Sequence, residues 1–126
     1  VHGETPVEPV PEGTNHASIA SGLVDVLAHP GFLTEEDARL AAVNGVFLEI
    51  TSRRGHSLTN GHVARLAIEA GARMIVNSDA HEPSDLLRPD FQRAVALGAG
   101  IPSTMLKELL ISNPATLRDR VLARRT

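Results

Sequence analysis

The sequence predicts an α/β protein in which parallel strands alternate with helices. Short apolar runs occupy residues 24–28, 46–50 and 72–76, and runs of this length between polar or glycine-containing segments are typical of buried strands. Segments with apolar residues at helical spacing separate these runs, and two of the helical segments end at Gly45 and Gly71. Strands that alternate with helices form a parallel sheet through right-handed connections.

The chain begins with a proline-rich segment that we expect to be a loop. Pro6, Pro9 and Pro11 lie within residues 4–13, and prolines at this density exclude a regular helix or a central strand. A loop of this length in a compact domain is often functional. A short helix over residues 15–22 is expected to follow.

The next elements have clear boundaries. After the strand at 24–28, Thr34 and Asp37 have the spacing of a capping box and predict a helix that ends at Asn44-Gly45. Its apolar face is expected to comprise Ala38, Leu40, Ala41 and Val43. A second strand over residues 46–50 leads into a polar loop at 51–59.

The rest of the chain continues the alternation. Asn60 is expected to cap a helix that ends at Gly71, and the strand at 72–76 follows. Helices over residues 89–97, 103–111 and 114–124 complete the chain, with proline in the first turn of two of them.

Composition limits the class of protein. The 126 residues make one domain at most, or part of a larger one, with 42% hydrophobic and 2% aromatic residues, so the core is aliphatic. The net charge of −3 argues against a general nucleic-acid surface, and no apolar run could cross a membrane. Without cysteine, any metal must be bound by histidines and carboxylates. We expect a cytoplasmic protein and, since the chain starts without Met, a piece of a longer polypeptide.

Histidines follow three predicted strand ends. Asp79 and His81 come after the strand at 72–76, His29 comes after 24–28, and His2 comes after Val1. Asp79 and His81 are two residues apart and point to one side of an extended chain. Imidazole and carboxylate ligands suit Zn, Mn or Fe. The sequence therefore favours a metal site at this edge over the alternative of turn and surface residues.

The loop at 51–59 has the composition of an anion-binding segment. Arg53 and Arg54 could grip a phosphate in a bidentate manner, and the loop opens a helix whose first N–H groups are free. His56 is a candidate acid–base or substrate-binding group. The alternative is a solvated surface loop. His62 is better explained as a structural residue within a helix, and His16 as a solvated helix residue.

Four motifs together resemble a known family. They are His2-Gly3-Glu4, Asp25-Val26-Leu27-Ala28-His29-Pro30-Gly31, Leu48-Glu49-Ile50 and Asn77-Ser78-Asp79-Ala80-His81. In this combination, across nearly the whole chain, they resemble the later motifs of the PHP (polymerase and histidinol phosphatase) superfamily, and most of all its histidinol-phosphatase-like members.

The resemblance implies a distorted (β/α)7 TIM-like barrel, of which residues 1–126 would form the C-terminal part as a single partial PHP domain. It implies up to three divalent metal ions, with His2 and His29 sharing one, Asp79 serving a second and His81 a third. The family's N-terminal H-x-H pair and bridging glutamate have no counterpart in this chain. A missing N-terminal barrel segment, or self-association, is therefore the expected partner, and the isolated chain is expected to be inactive.

The function implied for the complete barrel is metal-dependent hydrolysis of a small phosphomonoester such as histidinol phosphate. Arg53 or Arg54 would hold the phosphate, and His56 would assist the leaving group. Two alternatives stay open: a non-catalytic PHP-like domain that acts as a binding or structural subunit, and a metal-dependent hydrolase of another kind, such as an exonuclease.

Overall fold

The computed structural model describes residues 1–124, and within them it confirms an α/β fold with three parallel strands and five α-helices. The strands are β1 (Val26–Leu27), β2 (Phe47–Thr51) and β3 (Met74–Asn77). The helices are α1 (Thr14–Ala20), α2 (Glu35–Asn44), α3 (Asn60–Ala70), α4 (Pro89–Gly98) and α5 (Asn113–Ala123).

The strands lie side by side in chain order, β1–β2–β3, and every pairing is parallel. Before β1, His2 forms an isolated parallel bridge with Ala28, where the Gly3 N–H donates to the Ala28 carbonyl at 2.7 Å. The first residues thus extend the sheet beyond β1, as their resemblance to a strand end predicted. Because all four segments run the same way, the loops that follow them meet at one carboxyl edge.

The sheet is the centre of an aliphatic core. All five residues of β2 are buried, and Phe47 lies beneath the Arg120 guanidinium, 5.1 Å from its carbon to the ring centre. Helix α2 packs through small side chains, since Ala38 and Ala41 are fully buried. The expectation that Val43 belongs to this apolar face was wrong, because it is 82% exposed.

Local capping signals acted as predicted at α2. The Thr34 hydroxyl accepts a hydrogen bond from the Asp37 N–H at 3.0 Å, and Gly45 ends the helix in the left-handed conformation. Asn60 behaves differently from its expected role as a cap. Its amide holds the end of β2 instead, accepting from the Thr51 N–H at 3.0 Å and donating to the Thr51 carbonyl at 2.8 Å.

The C-terminal helices join without an intervening loop. A 3₁₀ turn at Ser103–Met105 leads into a π-helical turn at Glu108–Ser112 and then α5. Pro114 has no N–H to donate to the carbonyl four residues back, which accounts for the wider turn before it. None of the helices described in residues 1–124 is long and apolar enough to traverse a bilayer.

Candidate metal centre

The carboxyl edge of the sheet brings together His29, His56 and Asp79. One ligand atom from each of these side chains lies within 4.8 Å of the other two. Each comes from the loop after a different strand, since His29 follows β1, His56 follows β2 and Asp79 follows β3. Consecutive parallel strands therefore position the cluster, as predicted for His29 and Asp79.

His29 is the most constrained member of the cluster. The residue is 2% exposed, and neither of its ring nitrogens has a hydrogen-bond partner among the described residues. The ring stacks on His56 with centres 4.1 Å apart and meets the ring of His2 at 4.5 Å. Buried polar atoms without partners are rare and costly. The unpartnered ring nitrogens of His29 are therefore suited to coordinating a bound metal ion.

Burial also affects the ionisation of His29. It lowers the pKa of the imidazole, and the neighbouring His56 and His2 lower it further. A lowered pKa favours the neutral ring, which is the form that coordinates a metal.

His56 is oriented by a buried hydrogen bond. Its Nδ1 lies 2.7 Å from the Thr5 hydroxyl, and its Nε2 lies 3.9 Å from Asp79 Oδ2 and 3.4 Å from Glu8 Oε1. A hydrogen bond at one ring nitrogen is the usual means of aiming the other at a metal. The structure therefore places His56 inside the cluster rather than beside it.

The backbone is strained at two members of the cluster, His29 and Asp79. His29 has a φ of 33° and Asp79 a φ of 48°, and they are the only non-glycine residues with positive φ within residues 1–124. Left-handed conformations cost about 1–3 kcal/mol outside glycine and concentrate at functional sites. The backbone at His29 and Asp79 thus directs each side chain at a cost in stability.

Glu49 supports this geometry from within β2. Its side chain is buried, and Oε2 accepts a hydrogen bond of 2.6 Å from the His29 N–H. Burial raises the pKa of this carboxyl group above its ordinary value. Sequence reasoning did not assign Glu49 a role in the site, although an acid inside an otherwise apolar strand was the available signal.

The other two predicted ligands lie at the margin. His2 is exposed but its ring contacts His29, and its Nδ1 is 3.6 Å from Glu8 Oε2. His81 is also exposed, and its Nδ1 is 2.7 Å from the Asp79 carbonyl oxygen rather than near the other ligand atoms. Their predicted roles as ligands remain predictions.

A cavity of about 530 Å³ opens beside the strand ends, and it contains both predicted phosphate-binding arginines. Arg53 forms an ion pair of 3.1 Å with Asp85, whereas Arg54 forms none with any residue in 1–124. The N–H of His81, with help from Glu82 and Arg53, holds the pKa of Asp85 below its ordinary value. The lining residues are Ser52, Arg53, Arg54, Ser78, Ser84, Asp85, Leu86 and Phe91.

The donor set fits a divalent metal ion. Two imidazoles and a carboxylate are hard or borderline ligands that suit Zn, Mn or Fe. Two ligands of one tetrahedral Zn lie about 3.3 Å apart, as follows from Zn–N and Zn–O bonds of about 2.0–2.1 Å. The ligand atoms of the cluster lie within 4.8 Å of one another, so binding of one ion would draw them closer, and the unpartnered His29 nitrogens supply free donors.

Fold and site together define an α/β protein with a histidine–carboxylate cluster at the carboxyl edge of a parallel sheet. An uncharacterized protein of Methanocaldococcus jannaschii is 48% identical over 121 residues, which cover 96% of this chain and 56% of that protein. A protein named "Probable phosphatase" from Shewanella piezotolerans is 35% identical over 106 residues, covering 71% of this chain and 42% of the relative.

Another "Probable phosphatase", from Proteus mirabilis, is 32% identical over 114 residues, covering 82% of this chain and 45% of the relative. The chain spans about half the length of the curated relatives it matches. No protein-family model matches the chain, and no solved structure matches it significantly.

Proposed function

We propose that the chain contributes the metal-binding edge of a metal-dependent phosphoesterase that hydrolyses a small phosphomonoester such as histidinol phosphate. The observation that carries the proposal is the buried, unpartnered His29 ring, which meets His56 and Asp79 at the carboxyl edge. The relatives named "Probable phosphatase" support the phosphatase class.

His29, His56 and Asp79 would hold the ion. A divalent metal supplies a hydroxide nucleophile at neutral pH and stabilises the charge that develops on phosphoryl oxygens. Since Nε2 of His56 faces the carboxylate of Asp79, we assign His56 to metal binding in place of the acid–base role expected from the sequence. The remaining predicted ligands, His2 and His81, would serve further ions in a complete site. This assignment differs from the one that the resemblance implies, in which His2 and His29 share one ion and Asp79 serves a second.

The phosphate would lie in the neighbouring cavity. Arg53 is oriented by Asp85 at 3.1 Å, and Arg54, which forms no ion pair with any described residue, could pair with an anion. A planar guanidinium group can donate two parallel hydrogen bonds to two oxygens of one phosphate. A cavity of about 530 Å³ is the size of a small-molecule site. The net charge of −3 opposes a polynucleotide substrate.

We also propose that further parallel strands close this sheet into a barrel of the PHP type. In residues 1–124 no strand pairs with the outer edge of β3, and a groove of about 380 Å³ opens there, lined partly by Ile75, Val76, Leu110 and Leu117. An unpaired edge beside apolar side chains is suited to another strand. A missing N-terminal barrel segment, or a second copy of the chain, is the proposed occupant.

The test is a comparison of two proteins. One is the 126-residue chain, and the other is a chimaera in which the chain replaces the segment it matches in the Methanocaldococcus jannaschii relative. Phosphate release is measured with Zn²⁺ or Mn²⁺ from histidinol phosphate and p-nitrophenyl phosphate, and cleavage of a single-stranded oligonucleotide is measured in parallel. We expect monoester turnover by the chimaera and little by the chain alone.

Ligand variants connect turnover to the cluster. In the chimaera, His29→Ala and Asp79→Asn should lower turnover about 100-fold or more, because even residues that only support a metal ligand contribute about 10–100-fold. His16→Gln is the matched control, since it removes a histidine that pairs with Asp37 outside the cluster. Metal binding without hydrolysis of any ester would favour the binding-subunit alternative, and preferential cleavage of the oligonucleotide would favour the exonuclease.

A further inference from the structure

The proline-rich loop at residues 4–13 is a closed structural unit. The Glu4 carboxylate accepts hydrogen bonds from the N–H groups of Gly13 at 3.0 Å and Asn15 at 2.9 Å. In return, the Asn15 side-chain oxygen accepts from the Glu4 N–H at 2.9 Å. The two ends of the loop are thereby held together, as in a compact Ω-loop.

The middle of this loop is fixed against the turn that carries His56. A Cβ atom placed at Gly55 would lie 3.3 Å from both methyl carbons of Val7, so the glycine leaves just enough room for that side chain. The Thr5 hydroxyl contacts His56 Nδ1 at 2.7 Å. These two contacts place the middle of the loop beside the cluster.

Glu8 is the residue that this arrangement brings to the cluster. Its Oε1 lies 3.4 Å from His56 Nε2, and its Oε2 lies 3.6 Å from His2 Nδ1. The first distance matches the separation of about 3.3 Å between two ligands of one tetrahedral Zn. The pair with His2 is exposed on both sides and contributes little to stability, whereas the contact with His56 joins a buried ring to a carboxylate that is partly exposed.

We propose that Glu8 is a metal ligand that the loop supplies to the ion held by His29, His56 and Asp79. This inference rests on the proposed metal-dependent function. Glu8 reaches the cluster through His56, whereas the group of mutually close ligand atoms within residues 1–124 comprises His29, His56 and Asp79, so the ion would have to draw the Glu8 carboxylate inward as a fourth ligand. The unpartnered ring of His29 is the independent sign that an ion belongs there. Since the ligand lies on the loop, metal binding also holds the loop in place.

Zinc affinity measured by competition with a chromophoric chelator tests the proposal on the 126-residue chain. Glu8→Gln removes the charge but keeps the length of the side chain, and we expect affinity to fall about 10–100-fold. Glu12→Gln is the matched control, because Glu12 is an exposed acid of the same loop with no contact to a cluster histidine. It should bind Zn²⁺ within about twofold of wild type.

Hydrogen exchange of residues 4–13 provides a second readout. Zn²⁺ should slow exchange there in wild type and Glu12→Gln but not in Glu8→Gln, while thermal melting in EDTA checks that all three fold alike. If wild type binds Zn²⁺ and Glu8→Gln matches it in affinity and exchange, the role of Glu8 is refuted and the metal site stands. If wild type binds no Zn²⁺ or Mn²⁺, the four-ligand site on this chain is refuted, and turnover by the chimaera decides separately whether the proposed function stands.

Discussion

Asp79 offers a test of the strained backbone that does not depend on enzymatic activity. Its φ of 48° lies in the left-handed region, which costs a residue with a Cβ atom about 1–2 kcal/mol. Replacement by glycine removes this cost, and replacement by alanine keeps it. Because both variants lose the carboxylate and its contact with His56, a comparison between them isolates the backbone.

The expected difference follows from two opposing terms. Glycine at 79 relieves the strain of about 1–2 kcal/mol but loses about 0.5–1 kcal/mol more backbone entropy on folding than alanine does. Asp79→Gly should therefore be more stable than Asp79→Ala by about 0.5–1 kcal/mol. The sign is opposite to that at an ordinary helical position.

Arg65 is the matched control position. It is exposed in the middle of α3 and pairs with Glu69, and this pair is lost in both variants. There Arg65→Gly should be less stable than Arg65→Ala by about 1 kcal/mol, the ordinary helix preference. The two positions should thus differ by about 1.5–2 kcal/mol in the effect of glycine relative to alanine.

Urea unfolding followed by far-UV circular dichroism is the appropriate assay, because the chain has no Trp or Tyr for fluorescence. EDTA is included so that metal binding makes no contribution, and protein concentration is held constant. If Asp79→Gly proves less stable than Asp79→Ala, the backbone at this strand end is not strained and the reasoning from strain to function is wrong.

Three further predictions concern the residues around the cluster and the free edge. Glu49→Ala leaves the buried His29 N–H without an acceptor and should reduce the free energy of unfolding in urea by about 1–3 kcal/mol, whereas Glu49→Gln, which keeps an acceptor oxygen, should stay closer to wild type. Thr5→Val should weaken Zn²⁺ binding about 10–100-fold by releasing His56, and Thr5→Ser should not, as chelator competition would show. The isolated chain should self-associate through its open β3 edge, and sedimentation showing only monomer across concentrations would contradict that expectation.

Much of the fold could be predicted because its signals are local. The Thr34 cap and the glycines that end α2 and α3 act within one turn of the chain, and short apolar runs place the strands to within a few residues. Burial is less local. Val43 has the spacing of a core residue but faces solvent, and the Asn60 amide turns away from its own helix to bond Thr51, since both outcomes depend on what packs alongside.

The candidate site also contains residues whose positions follow from local signals and residues whose positions depend on long-range packing. The sequence by itself predicted that His29 and Asp79 lie at one edge of the sheet, because the carboxyl ends of parallel strands meet at the same edge. That the loops after β1 and β3 also meet across the intervening β2 was decided by the tertiary structure. Only the tertiary structure decided that His56 enters the cluster and that Glu8 faces it. The paths of the loops that carry them are set by long-range contacts such as Thr5 with His56 and Val7 with Gly55, and no periodicity or spacing along the chain encodes such contacts.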